Sequence, residues 1–95
     1  MSQPLVLRDT YGIVLRANGN VERLEKKPSF KEVQKIVGGY VQIVPGQWEK
    51  LSWQVCVDEE GLLKDYELNF KATLATGHPK IVGDAVLLRG KFRIT

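Results

Sequence analysis

The run Leu51-Ser52-Trp53-Gln54-Val55-Cys56-Val57 alternates along its whole length. Leu51, Trp53, Val55 and Val57 face one way, and Ser52, Gln54 and Cys56 the other. A helix would scatter these residues around its circumference, whereas a half-buried strand sorts them into two faces. The chain must therefore build a sheet with one side turned to a core. At 95 residues and 10.7 kDa it has room for a single compact domain, expected over residues 1–95. A domain of this size buries roughly 60–65% of its unfolded surface, enough to stand alone. With 43% hydrophobic and 26% charged residues, disordered and fibrous classes are excluded.

Other strands are short. Leu5-Val6-Leu7-Arg8 and Tyr11–Arg16 read as strands, and Asn18-Gly19-Asn20 as the turn that returns the chain through Val21–Glu25. Tyr40–Val44 is a further strand, with Pro45-Gly46 as a turn signal. Asp58-Glu59-Glu60-Gly61 turns the alternating strand around, with Gly61 expected at positive φ, and Leu62–Leu68 reads as extended. Ala85–Leu88 is a strand, Gly90 a break or bulge, and Lys91–Ile94 a closing strand. One helix is convincing. Ser29 and Glu32 form a capping box, Phe30, Val33 and Val37 share a face with Ile36 beside them, and Gly38-Gly39 ends it. Asn69 can cap a short helical turn through Ala75. The fold expected is α+β: a small antiparallel sheet of about six short strands with one main helix packed on it.

Chemistry-bearing residues are sparse. His78, the one histidine, sits in a Gly-His-Pro loop, and Cys56, the one cysteine, lies on a strand. Neither has partners at catalytic or metal-ligand spacing, so no enzyme, cofactor or metal is expected. Gly38-Gly39 follows a helix rather than opening one, where the dipole repels anions, so it is not a phosphate loop. No apolar run approaches the ~20 residues of a membrane span. Met1-Ser2-Gln3-Pro4 lacks the pattern of a secretory leader, so a cytoplasmic protein is expected.

The net charge of +3 sits in the first half, where seven Lys/Arg oppose four Asp/Glu, against seven and seven in residues 49–95. Arg89, Lys91 and Arg93 would share a face of the closing strand, and Lys26, Lys27, Lys31 and Lys35 form a second basic group. Nucleic-acid binding through Lys27, Lys31, Lys35, Arg89, Lys91 and Arg93, with Tyr40 or Trp48 stacking on bases, is one reading. An edge strand guarded by its charges is the other. Exposed edges also make a homodimer an open expectation.

Read in order, Val33–Val44 with its Val-Gly-Gly-Tyr core resembles a bacterial and phage family known as domain of unknown function 3846. The resemblance continues through Val57–Leu63, with Asp58 where the family has Asn, through Leu68-Asn69 with Ala72-Thr73, and through Ile81–Val86. It covers roughly residues 29–90. The resemblance implies a small accessory protein of phage or mobile elements, with no activity to carry over. It leaves two roles open for the motif residues. Gly38, Gly39, Gly61 and Gly83 could serve turns, Asn69 a cap and Tyr40 packing; or Tyr40, Glu59 and Asn69 could line a pocket for a small ligand or a host protein. The leading expectation is a non-enzymatic binding module that acts on one of these, the alternative being the nucleic-acid reading.

Overall fold

The computed structural model describes residues 9–94, so the strand expected at Leu5-Val6-Leu7-Arg8 lies outside it. In chain order the elements are β1 (Gly12–Leu15), β2 (Val21–Arg23), α1 (Phe30–Val37), β3 (Val41–Trp48), β4 (Leu51–Asp58), α2 (Phe70–Thr76) and β5 (Ala85–Leu88). The strands form one antiparallel five-stranded sheet in the order β2-β1-β5-β4-β3. The α+β class expected from the sequence is the one observed.

The sheet is covered on both faces. Ile13, Leu15, Trp53, Val55, Ala85 and Leu87 pack on one side beneath α2, against Ala72 and Ile81. Val14, Cys56, Val86 and Leu88 pack on the other against Val33 and Val37 of α1 and against Phe92. Hence β5, with the unbroken apolar sequence Ala85-Val86-Leu87-Leu88, is buried at every position and sits in the centre of the sheet. The alternation of β4 holds on its Trp53 side. Its Cys56 side is also buried, because α1 covers it.

Local signals explain most boundaries. The Ser29 hydroxyl accepts from the Glu32 amide at 3.1 Å, and the Glu32 carboxylate accepts from the Ser29 amide at 2.8 Å, completing the capping box. Gly38 ends α1 at φ 97°, a left-handed conformation that side chains resist. Phe30 remains exposed, so the buried stripe of α1 is narrower than its periodicity suggests. Trp53 is in the core and Trp48 only partly buried, as expected, with the Trp53 indole N–H donating to the Trp48 carbonyl at 3.0 Å.

Several expectations are corrected. Pro45-Gly46 is not a turn but lies inside β3, where an edge strand tolerates a missing N–H. The turn is Glu49-Lys50, whose φ angles of 52° and 64° give the mirror-type geometry of a two-residue hairpin. Gly61 does not adopt positive φ. Leu62–Leu68 is not a strand: Gly61–Leu63 is a 3-10 turn, and only Leu68 makes an isolated bridge, to Val82. Lys91–Ile94 is not a strand either. The chain leaves the sheet after Leu88 and coils through a 3-10 turn at Gly90–Phe92, which places Phe92 under α1. The Gln54 side chain then holds the Ile94 backbone by two hydrogen bonds, at 2.8 and 3.1 Å.

The Glu49-Lys50 turn holds two side-chain-bearing residues where the left-handed region costs each roughly 1 kcal/mol. Replacing them with the favoured pair, Glu49→Asn with Lys50→Gly, is expected to raise stability by about 1 kcal/mol in urea denaturation.

Candidate partner-binding site

At the end of β4 the chain buries a carboxylate. The Asp58 side chain is 1% exposed, yet it accepts from the Lys64 ammonium at 2.6 Å, the Tyr66 hydroxyl at 2.9 Å and the Glu60 amide at 2.9 Å. Burial alone would push its pKa up. The hydrogen bonds from Lys64, Glu60 and Tyr66 outweigh that and hold it below the usual carboxylate value. The same contacts raise the pKa of Lys64 and of Tyr66, in both cases chiefly through the bond to Asp58. Lys64 also donates to the Gly38 carbonyl at 3.0 Å, so the cluster ties the end of α1 to the end of β4.

The cluster explains two motif glycines. A Cβ on Gly38 would collide with the Tyr66 hydroxyl, and one on Gly83 would lie 2.8 Å from the Tyr66 ring. Gly83 has φ 79°, so neither its backbone nor its space admits a side chain. Sequence reading assigned these glycines to turns, which is half of the reason. The other half is Tyr66, a residue that sequence reading did not single out.

What the cluster positions is the loop beyond it. The 3-10 turn Gly61–Leu63 holds Leu62 68% exposed and Leu63 83% exposed. The Glu59 amide donates to the Tyr40 carbonyl at 2.7 Å, which brings Tyr40, itself 67% exposed, to the same corner. Beside them a shallow cavity of about 180 Å³ is lined by Gln42, Glu59, Leu62, Leu63, His78 and Lys80 among others. Two of the three candidate residues, Tyr40 and Glu59, thus meet, though only Glu59 lines the cavity.

Asn69 does not join them. It is buried, and its amide donates to the carbonyls of Leu15 at 2.7 Å and Gly83 at 2.8 Å while its oxygen accepts from the Ala72 amide at 3.1 Å. It caps α2, as its position suggested, and also clamps β1 to the segment before β5. Every one of its contacts is internal, so the pocket of Tyr40, Glu59 and Asn69 is not formed.

The basic residues are also redistributed. With Lys91–Ile94 out of the sheet, Arg89, Lys91 and Arg93 form no strand face. Arg89 donates to the Thr10 carbonyl at 2.9 Å and lies over the rings of Tyr11 and Trp53. Lys91 lines a cleft with Tyr11, Arg23, Lys26 and Lys27. Arg93 lines a different hollow with Arg89, and Lys31 and Lys35 stand exposed on α1 outside both. Burial pushes the Cys56 thiol up to about 11, which suppresses the thiolate a nucleophile requires. No group of three His, Cys, Asp or Glu among the described residues could hold a metal, and no helix there is long and apolar enough to cross a membrane.

This geometry, an antiparallel sheet sandwiched between two short helices with its sequence motifs gathered around a buried acid, defines a small α+β domain. The chain belongs to the family described as Domain of unknown function (DUF3846), whose profile matches residues 10–93. No curated protein and no solved structure matches it.

Replacing Asn69 with Ala removes a cap and leaves two buried carbonyls without their donor, at an expected cost of about 3 kcal/mol measured by urea denaturation. Asp58 gives a pH test. A carboxylate with a depressed native pKa contributes stability that is present above the unfolded value of about 3.9 and is lost as pH falls through the native one. Asp58→Asn is therefore expected to be less stable than the wild type at neutral pH, with the gap narrowing steadily below about pH 4. A gap that stays constant from pH 7 to pH 2, in urea titrations run roughly one unit apart, contradicts the ionised cluster.

Proposed function

We propose that this domain acts by binding rather than by catalysis, and that its contact surface is the corner formed by Tyr40, Glu59, Leu62 and Leu63. The observation that carries this reading is the exposure of Leu62 and Leu63 on a turn that the buried Asp58 carboxylate holds in place through the Glu60 amide and Lys64. Consecutive leucines facing water stabilise nothing in the isolated domain, while anchoring their turn requires an acid to be desolvated. Large apolar and aromatic side chains presented on a fixed backbone, with an acidic rim at Glu59 and Glu60, have the make-up of a protein contact. The matching partner is a protein surface with an apolar pocket and a basic rim. In the family setting implied by the sequence resemblance, this is a host protein met in a bacterial or phage-infected cytoplasm.

One observation favours the nucleic-acid reading. Lys26 and Lys27, in the loop before α1, and Lys91, at the far end of the chain, line one cleft together with Arg23. Glu25 and Asp9 line it too, which lowers its potential and keeps this the second reading.

Pull-downs from bacterial lysate with and without nuclease, followed by titration of the purified partner, separate the two. Leu62→Ser with Leu63→Ser is expected to leave stability within about 0.5 kcal/mol, because both side chains are exposed. It should weaken partner binding roughly tenfold or more, and Tyr40→Ala should weaken it as well. Equal binding by wild type and variants removes this corner from consideration. Recovery of nucleic acid alone, released by salt, favours the basic cleft instead.

A further inference from the structure

The outer strand β3 carries backbone groups that its own sheet does not use. It pairs only with β4, and Trp48 and Leu51 close their two-residue hairpin. Such a hairpin closes on a hydrogen-bonded pair, and hydrogen-bonded pairs recur at every second position along the ladder. The bond from the Glu59 amide to the Tyr40 carbonyl continues that series. Gln42, Val44, Gly46 and Trp48 therefore direct their amides and carbonyls to β4, while Val41, Ile43, Pro45 and Gln47 turn theirs outward. Among the described residues no hydrogen bond reaches that outward side.

The two edges of the sheet are unequal. The other edge, β2, is Val21-Glu22-Arg23, short and charged, as edges that avoid pairing are. Not one charged residue lies between Gly38 and Trp48, and Ile43 is 43% exposed. The one guard on β3 is Pro45, whose ring replaces an outward N–H and bars a partner strand from lying opposite it. Tyr40–Val44 is left open. Within that window one antiparallel self-pairing uses every outward donor without bringing a second strand against Pro45: the one centred on Gln42.

We propose that two copies of this chain pair antiparallel through β3 about a two-fold axis at Gln42. Val41 lies opposite Ile43 of the second copy, and the reverse pair repeats the same hydrogen bonds. On the α1 side of the sheet these side chains cover one another, which removes the exposed surface of Ile43 from water. On the α2 side the two Gln42 side chains meet, and a primary amide, with both donor and acceptor, complements itself. This pairing rests on the backbone of β3 and not on Leu62 and Leu63, and it places Tyr40 of that corner opposite Val44 of the second copy.

A two-fold axis is the arrangement in which position 42 faces itself, and that sets the test. Gln42 is exposed, so Gln42→Glu and Gln42→Lys should both fold, which circular dichroism checks. In sedimentation equilibrium from micromolar to submillimolar concentration the wild type is expected to dimerise. Each variant, with like charges opposed at the axis, should self-associate roughly tenfold more weakly or worse. An equimolar mixture of the two, pairing Glu with Lys, should regain the lost affinity. A wild type that stays monomeric, including one that pairs only with another protein's strand, overturns the proposal. So do variants that dimerise like the wild type, and a mixture no tighter than its components.

Discussion

A buried carboxylate sets the terms for the ends of three elements in this domain. Once Asp58 is taken out of water at the end of β4, its oxygens need donors, and the nearby chain supplies them from Glu60, Lys64 and Tyr66. Tyr66 can reach only because Gly38 and Gly83 leave room for its ring and hydroxyl. The left-handed end of α1, the 3-10 turn after β4 and the approach to β5 thus answer to one electrostatic requirement. Asn69 performs the neutral equivalent on the other side, binding β1, the start of α2 and Gly83 with one amide. The two networks share Gly83, so the segment entering β5 is held from both directions.

The arrangement divides the molecule into a rigid interior and a small set of exposed features. The two inner faces of the sheet are filled by β1, β4 and β5, and the helices lie over them. What remains outward at the β3 side is the corner of Tyr40, Leu62 and Leu63 and the uncharged edge of β3 itself, while Phe30 on α1 and Phe70 and Leu74 on α2 are exposed as well. The corner presents apolar and aromatic side chains, and the edge presents unpaired backbone groups. The desolvated Cys56 thiol is consistent with that division, as a small core residue beneath α1.

Much of this is legible in the sequence. The capping box at Ser29 and Glu32, the glycine end of α1, the Asn69 cap, the β4 alternation and the Asn18-Gly19 turn depend on neighbours within a few residues, and each is present. Where sequence reading failed, a distant contact decided. Pro45-Gly46 carries a strong turn signature, but eight residues of pairing with β4 override it and the hairpin closes at Glu49-Lys50. Lys91–Ile94 alternates like a strand, but Phe92 gains more by entering the core under α1, and Gln54 holds the remaining backbone. Of the candidate site, Tyr40 and Glu59 came together and Asn69 turned inward. Leu62 and Leu63 were read as an ordinary strand, since nothing local marks a leucine that will face water.

The sequence by itself determined the family, the α+β class, the caps and the strongest strand, because these follow from short-range periodicity and from side-chain bonds to adjacent backbone. Tertiary structure alone decided that the sheet is buried on both faces, that five strands form it with β5 in the centre, and which residues surround Asp58. Those outcomes depend on contacts between residues far apart in the chain, such as Lys64 with Gly38, Asn69 with Leu15 and Arg16 with Asp84. Their energies arise only when the elements have been brought together, and no window of sequence contains both partners.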